Sequence, residues 1–109
     1  MSARKTTGSL TTDGLKDSEA WRSEQEQSDK PIVALITGTM NGADVQFKVS
    51  DTDTTADYVP LIDPASGAAR VAITEVGAVG LGIQPDVWIA PFIANAGAST
   101  DIVIKYMQF

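Results

Sequence analysis

Residues 43–49 read ADVQFKV, in which apolar and polar side chains alternate with a period of two residues. Val45, Phe47 and Val49 therefore share one face of an extended chain, and the polar residues between them share the other face. This alternation is typical of a β-strand that buries one face and turns the other towards solvent. The stretch predicts that the chain folds as a β-sheet protein.

The rest of residues 31–109 repeats this pattern or forms short apolar runs between turn signals. Further strands are predicted at PIVALIT (31–37), DYVPLI (57–62), ARVAIT (69–74), DVWIAPFIA (86–94) and DIVIKYMQ (101–108), with a short one near 75–80. Turns are predicted at Asn41-Gly42, Asp51 to Thr55, Pro64 to Gly67, Gly77 to Gly82 with Pro85, and Asn95 to Ser99. The connections are too short for parallel crossovers. The predicted fold class is all-β: an antiparallel β-sandwich or barrel of about six to eight short strands.

Two of these strands have unusual patterns. The strand at 101–108 is apolar on parts of both faces, so we expect its second face to be covered by residues 1–30 or by a neighbouring subunit. Pro91 has no N–H to donate, which predicts that the strand at 86–94 bends or lies at a sheet edge. Trp88 has apolar neighbours and is assigned to the core.

Residues 1–30 have a different composition from the β-sandwich domain at 31–109. Leu10, Leu15 and Trp21 are their only large apolar side chains beyond the first Met. These are too few to offset the entropy of ordering the segment. We therefore expect an extended N-terminal arm that is ordered by contact with its own domain, a sister subunit or a partner.

The arm carries a possible short helix and candidate binding residues. DSEAWRSEQEQ (17–27) has the length of two or three helical turns, with Asp17 or Ser18 as the cap. An exposed Trp is uncommon, so Trp21 is expected either to anchor in a partner's apolar groove or to pack on its own sandwich. The predicted partner-binding residues of the arm are Arg4, Lys5, Leu10, Leu15, Trp21 and Arg22.

The overall composition argues against several classes of function. The chain has 109 residues, a formal net charge of −6, and neither Cys nor His. Disulfides, thiolate zinc sites, cysteine nucleophiles and Ser-His-Asp triads are therefore excluded. An acidic chain lacks the cationic surface that binds nucleic acid or an anionic membrane. It has no apolar run near the ~20 residues of a membrane span, and we expect no export signal because its first residues lack an apolar core.

The segment SDTDTTAD (50–57) is the stretch that most resembles a reactive site. Asp51-Thr52-Asp53-Thr54-Thr55 fits the D-x-D-x-T signature of aspartate-nucleophile phosphatases, but those enzymes need a parallel Rossmann-like core. A calcium loop would need a Gly at its sharp turn and a closing Glu. A weak cation site that includes Asp57 remains an alternative, and the favoured interpretation is a polar turn. No catalytic residue, metal ligand or cofactor is predicted.

The glycine-rich stretch GAVGLG (77–82) does not match a nucleotide-binding motif. Its glycines follow the order G-x-x-G-x-G, and no Gly-Lys-Ser/Thr follows them. We assign the stretch to a flexible hairpin or a bulged strand, where Gly80 and Gly82 allow another backbone to approach closely.

The stretch ITGTMNGADVQFKVSDTDTTADYVPL resembles the opening hairpin of small β-sandwich virion proteins of tailed bacteriophages. The residues that carry the resemblance are Thr37, Gly38, Thr39, Met40, Gly42, Ala43, Val45, Gln46, Val49, Ser50, Asp51 and Tyr58. The resemblance covers roughly residues 35–61, and it departs from the pattern at Met40, where an aromatic residue is more usual. It implies a head decoration or cement protein on the capsid surface of the virion, made in the host cytoplasm. The implied partners are the major capsid protein and other copies of the chain, with trimers as one arrangement.

The resulting hypothesis is a non-enzymatic structural protein whose arm clamps neighbouring subunits of the shell. If so, deletion of residues 1–30 removes shell binding and leaves the sandwich folded. Three alternatives stay open: a receptor- or carbohydrate-binding module of a fibre or spike, a tail or connector component, and a small hydrolase with converging carboxylates.

Overall fold

The described chain consists mainly of short strands. The computed structural model describes residues 3–22, 30–52, 54–63, 66–83 and 87–108. The strands in these ranges are β1 (Ala3–Thr6), β2 (Gly14–Leu15), β3 (Trp21–Arg22), β4 (Pro31–Thr39), β5 (Asp44–Ser50), β6 (Val59–Pro60), β7 (Ile62–Asp63), β8 (Ala68–Ala69), β9 (Gly77–Ile83), β10 (Trp88–Ala94) and β11 (Asp101–Gln108). Two 3-10 turns lie at Asp17–Glu19 and Thr55–Asp57. Within these ranges, no helix has the length and apolarity to cross a bilayer.

These strands form two packed antiparallel sheets and a small hairpin. The four-stranded sheet has the order β1-β11-β4-β9. The five-stranded sheet has the order β2-β10-β5-β6, and β3 pairs with a second part of β10. The hairpin consists of β7 and β8. The predicted all-β antiparallel sandwich is confirmed. The described part holds more strands than the six to eight predicted because five of them are only two residues long.

The core lies between the two sheets and is built by alternation. The inward side chains are Ile32, Ala34 and Ile36 of β4, Ile102, Ile104 and Tyr106 of β11, Val45 and Phe47 of β5, and Ile89 and Ile93 of β10. Burial of one such large side chain stabilises the fold by roughly 1.5–3 kcal/mol. The period-two pattern of residues 43–49 therefore predicted the correct inward face.

Residues 3–22 belong to the sandwich and do not form a separate arm. β1 extends the four-stranded sheet by pairing with β11, and the segment after it continues along β11 through a bridge between Leu10 and Ile102. The chain then crosses to the five-stranded sheet, where β2 and β3 pair with β10. The segment thus covers one edge of each sheet. In the described residues, the boundary predicted at residue 30 therefore does not separate an arm from the sandwich.

Pro91 lies inside the five-stranded sheet. Of the two alternatives predicted for this strand, a bend or an edge position, the edge position is wrong. β10 pairs with β5 on one side and with β2 and β3 on the other. The carbonyl oxygen of Pro91 accepts a hydrogen bond from the Lys16 backbone N–H at 2.8 Å. A residue in an antiparallel strand points its N–H and C=O to the same side. The missing N–H of Pro91 therefore points to the gap between β2 and β3, where the turn at Asp17–Glu19 interrupts the pairing.

Three other predictions differ from the structure in their details. The glycine-rich residues 77–83 form a full strand, β9, with a register shift against β4, so the bulged-strand interpretation is correct and the turn is not. Only Ala69 of the predicted strand 69–74 lies in a named strand, and Ile73 forms an isolated bridge with Val45. The helix predicted at 17–27 is a single 3-10 turn followed by β3 as far as residue 22, and residues 23–27 lie outside the described ranges.

Candidate interaction surfaces

Two of the predicted partner-binding residues are core residues. Leu10 and Trp21 are buried in the same cluster as the inward residues of both sheets. The Trp21 ring stacks on Tyr106, with the centroids 5.7 Å apart, and Phe47 packs edge-on against Tyr106 at 6.0 Å. Of the two interpretations of Trp21, the structure supports packing on its own sandwich. Neither Leu10 nor Trp21 is available to a partner in this fold.

The other four predicted partner-binding residues lie at the surface. Arg4 is exposed on β1, and Lys5 next to it is half-buried. Leu15 is half-buried on the outward side of the five-stranded sheet, where β2 places it beside Phe92. Arg22 is exposed, and its guanidinium lies 5.8 Å from the ring centroid of Trp88. The structure does not bring these four side chains together into one site.

Two aromatic rings on the outward side of the five-stranded sheet, those of Trp88 and Phe92, each lie against a cation. Trp88 is half-buried there rather than in the core, contrary to the prediction, because the alternation of β10 turns Ile89 inward. The Lys48 ammonium lies 4.2 Å from the ring centroid of Phe92 on the neighbouring strand. Such cation–π contacts contribute about 0.5–1 kcal/mol each at exposed positions.

Two 3-10 turns close over the middle of this same outward side. The Thr55 hydroxyl donates a hydrogen bond to the Asp17 carboxylate, which joins the turn at Thr55–Asp57 to the turn at Asp17–Glu19. Beneath them, Ala20 and Tyr58 form a small cluster with Ala90, which is fully buried. A larger side chain at residue 90 would push the two turns apart. No sequence pattern indicated this contact, because Asp17 and Thr55 are far apart along the chain.

The segment at residues 50–57 forms a bend and a 3-10 turn, as the favoured interpretation predicted. The Ser50 hydroxyl accepts a hydrogen bond from the Thr52 backbone N–H at 3.1 Å, and the Thr52 hydroxyl donates one to the Asp57 carboxylate at 2.7 Å. Asp53 lies outside the described residues. Within the described ranges, no group of three acidic, His or Cys residues is arranged to hold a metal ion.

The outer face of the four-stranded sheet carries apolar and polar side chains in similar numbers. The pairing of β11 with β4 places Met107 beside Val33 and Lys105 beside Leu35, and all four side chains are half-buried. The outward residues of this face are Arg4 and Thr6 on β1, Asp101, Val103, Lys105 and Met107 on β11, Val33, Leu35, Thr37 and Thr39 on β4, and Ala78 and Gly80 on β9. The second face of β11 was expected to be covered by residues 1–30 or by a neighbouring subunit. The described part of residues 1–30 pairs with the edge of β11 instead.

A second set of apolar side chains lies on residues 59–63 and 66–76, which we name the strap. The strap connects β6, at one edge of the five-stranded sheet, to β9, at an edge of the four-stranded sheet. Val59, Ile62, Val71 and Val76 are 51–82% exposed, and these are the exposed large apolar side chains of the described chain. The guanidinium of Arg70 donates to the Gly80 carbonyl oxygen at 2.5 Å and ties the strap to β9.

The whole chain resembles a solved structure in its fold. The crystal structure of the SPBc2 prophage-derived protein YomS aligns with 99% of this chain and 94% of that chain, at a TM-score of 0.66. The two chains share a fold. Their sequences are 9% identical, so the likeness to YomS concerns the fold alone. No protein-family model and no curated protein sequence matches the chain.

The sequence held only partial signals for these surfaces. Apolar residues on parts of both faces of 101–108 indicated that the second face of this strand is not an ordinary solvated one. The strap was missed because Val59 and Ile62 were assigned to one strand and Val71 to another. Isolated apolar residues in a polar segment, such as Leu10 and Trp21, were a signal of long-range packing as much as of a binding arm.

Proposed function

We propose that this chain is a non-enzymatic structural protein of a bacteriophage virion that decorates or cements the capsid. The observation that carries the proposal is the similarity of fold to the prophage-derived protein YomS over nearly the whole of both chains. A shared fold does not by itself carry a function. The proposal therefore also rests on the resemblance of residues 35–61 to virion proteins and on the surfaces described above.

These surfaces favour assembly. The strap presents exposed apolar side chains, and the outer face of the four-stranded sheet presents half-buried ones. Large uncovered apolar patches on soluble proteins mark interaction sites. In a shell, many copies of a modest contact add up through multivalency, and binding to the assembled state stabilises that state by mass action.

The partners in this proposal are the major capsid protein and other copies of the chain, on the capsid surface. The contacts are assigned to the outer face and the strap, not to an N-terminal clamp. Residues 3–22 supply edge strands to both sheets and two core side chains, Leu10 and Trp21. They cannot leave the sandwich to reach a neighbour without exposing that core.

Quantitative mass spectrometry of purified particles tests the proposal. Particles of the phage whose genome encodes the chain are expected to contain it in a fixed, capsid-scale ratio to the major capsid protein. A few copies per particle would indicate a tail or connector component instead. Absence of the chain from particles would contradict a virion role.

Heat resistance of the particles tests the cementing role. Particles of a phage in which the gene for this chain is deleted are expected to release their DNA at a lower temperature than wild-type particles. An unchanged release temperature would contradict cementing.

The carbohydrate-binding alternative has one supporting observation. Trp88 and Phe92 lie on the same outward side of the five-stranded sheet, where a sugar ring would stack. Both rings already face a cation, Arg22 or Lys48, which a sugar would have to displace. Binding on a glycan array that is lost in Trp88→Ala would favour this function over the capsid role.

A further inference from the structure

We propose that Asn41 is a site of spontaneous deamidation through a cyclic imide with Gly42, and that the loop at residues 95–100, between β10 and β11, controls the rate by holding the Asn41 side chain. Such a reaction needs only the protein and water, so it does not depend on a role in a virion. Asn41-Gly42 is the one Asn-Gly pair in the sequence.

Asn41 and Gly42 occupy the two central positions of the tight turn between β4 and β5. Their φ angles are 46° and 86°, and the Ala43 N–H donates to the Met40 carbonyl oxygen at 2.9 Å. Positive φ at both central positions is the pattern of a type I′ turn, for which Asn-Gly is a preferred pair. Both residues are exposed, so water reaches them. The pair that suits the turn also cyclises readily, because Gly42 carries no side chain to hinder ring closure.

The reaction replaces the side-chain amide of Asn41 without any oxidant or reductant. The Gly42 backbone nitrogen gives up its proton to solvent base and attacks Cγ of Asn41. A C–N bond forms, the bond from Cγ to the NH2 group breaks, and ammonia leaves with a proton taken from water. One water molecule then opens the five-membered imide. Opening at Cγ gives aspartate, and opening at the main-chain carbonyl carbon gives isoaspartate. Either product adds one negative charge to the net −6 of the chain.

The loop between β10 and β11 binds the side chain that must move in this reaction. The Asn41 carboxamide oxygen accepts hydrogen bonds from the backbone N–H groups of Ser99 at 2.9 Å and Ala98 at 3.3 Å. The hydrogen-bond network assigns this orientation of the amide, because the opposite one sets its NH2 group against these donors. A Cβ at Gly97 would overlap the carboxamide, so the loop also packs against it. Cγ of Asn41 must leave these contacts before it can bond to the Gly42 nitrogen.

Ring closure also requires the turn itself to open. The imide ring is flat, so the Gly42 nitrogen must eclipse Cβ of Asn41, which the ψ of about +30° typical of this turn position does not allow. The loop resists the opening, since the Thr100 hydroxyl donates to the Met40 carbonyl oxygen at 2.9 Å and accepts from the Gly97 N–H at 2.8 Å. Release of such a contact is a local event that takes less free energy than global unfolding. The folded protein therefore reacts at a rate set by release of the turn from the loop.

Asn95, at the start of the same loop, provides an internal comparison. It is the other asparagine of the chain, it is exposed, and its φ angle is also positive at 59°. Its side chain donates a hydrogen bond to the Asp44 carboxylate at 2.7 Å. The residue after it is Ala96, whose methyl group hinders ring closure. Asn95 thus shares the exposure and the backbone conformation of Asn41 but lacks the following glycine.

Peptide mapping by mass spectrometry tests the proposal on the purified protein, incubated at mildly alkaline pH in buffer and in concentrated urea. In buffer, Asn41 is expected to react and Asn95 to stay intact. The rate at Asn41 is expected to be at least about tenfold lower in buffer than in urea, because the folded turn is open for only a fraction of the time. Equal rates in buffer and urea would overturn the proposal. So would an Asn41 that does not react in buffer, or an Asn95 that reacts as fast as Asn41.

Gly97→Ala and its matched control Gly80→Ala test the role of the loop. A Cβ at Gly97 displaces the Asn41 carboxamide, whereas nothing lies within 4 Å of a Cβ at Gly80. Gly97→Ala is expected to raise the rate at Asn41 in buffer at least about threefold, the factor that corresponds to a modest loss of hydrogen bonding. Gly80→Ala is expected to leave the rate unchanged. An unchanged rate in folded Gly97→Ala would overturn control by the loop.

Low concentrations of urea give a second test that needs no variant. Local release of the turn exposes little surface, so the rate at Asn41 in the wild type is expected to depend only weakly on urea below the unfolding transition. A rate that rises with urea as steeply as the equilibrium constant for unfolding would show that the whole fold protects Asn41, and would overturn control by the loop even if Gly97→Ala does not fold.

Discussion

Trp21 of the N-terminal segment stacks on Tyr106 of the last strand, with ring centroids 5.7 Å apart and ring planes 16° from parallel. The contact joins residues 3–22 to the last strand across the core. Offset stacking of this kind adds about 0.5–1.5 kcal/mol beyond the burial of the two rings. The N-terminal segment is therefore held by core packing as well as by strand pairing.

Trp21→Ala is expected to lower the free energy of unfolding by about 3–5 kcal/mol, because it leaves a cavity next to Tyr106 and removes the stacking contact. Trp88→Ala is the matched control. Trp88 is half-buried on the outward side of the five-stranded sheet, so its loss is expected to cost less than half as much. Urea denaturation followed by circular dichroism measures both. Equal costs would contradict a core position for Trp21.

Leu10→Ala and Leu15→Ala remove the same atoms from two positions in the N-terminal segment. Leu10 is buried between the sheets, and Leu15 is half-buried on an outward side. We expect Leu10→Ala to cost about 2–5 kcal/mol and Leu15→Ala about 1 kcal/mol. For the same reason, deletion of residues 1–22 is expected to abolish folding. A deletion variant that keeps the near-ultraviolet circular dichroism spectrum of the folded protein would support the separate arm predicted from the composition.

The sequence predicted the strands whose two sides differ in polarity. β4, β5, β10 and β11 were found within two residues of their bounds, since burial of one side imposes alternation or a continuous apolar run. β9 was assigned largely to a turn because its outward positions are Ala78, Gly80 and Gly82, which give no apolar signal. Glycine has a low β-strand propensity, so these residues argued against a strand in the sequence.

The candidate surfaces were harder to predict than the strands, because they depend on which distant segments meet. Thr55 and Asp17 each look like ordinary turn residues, and only the fold brings their side chains together. Trp21 had two interpretations because a single apolar residue in a polar segment fits a binding anchor and a core residue equally well. Local sequence carries no information on the partner of such a residue.

Three glycine substitutions separate backbone strain from steric overlap. Gly38 and Gly14 have φ angles of +101° and +117°, and a Cβ at Gly38 would overlap the Asp101 carbonyl oxygen. Gly80 has neither constraint. Alanine is expected to cost more than about 3 kcal/mol at Gly38 and about 1–2 kcal/mol at Gly14. At Gly80 it is expected to stabilise the strand by about 0.5–1 kcal/mol. Thermal unfolding ranks the three variants, and a Gly38→Ala midpoint at or above that of Gly14→Ala would contradict the overlap.

Alkaline pH is expected to destabilise the protein through Tyr106. Its hydroxyl has no hydrogen-bond partner in the described part of the chain. Burial raises the pKa of Tyr106 well above its usual range, and negative charge on Tyr58 and Glu19 raises it further. Above pH ~10 the unfolded chain releases this proton and the folded chain keeps it. The unfolded state then binds fewer protons, so the free energy of unfolding falls by about 1.4 kcal/mol per pH unit from this group.

Tyr106→Phe isolates this contribution. The substitution keeps the ring against Trp21 and Phe47 and removes the unpaired hydroxyl, so it is expected to raise the free energy of unfolding at pH 7 by about 1 kcal/mol. It is also expected to remove most of the decline in the free energy of unfolding between pH 10 and pH 11. Urea midpoints at both pH values measure the two effects. A variant that is less stable at pH 7 and declines as steeply as wild type would show that the Tyr106 hydroxyl is paired or solvated in the folded protein.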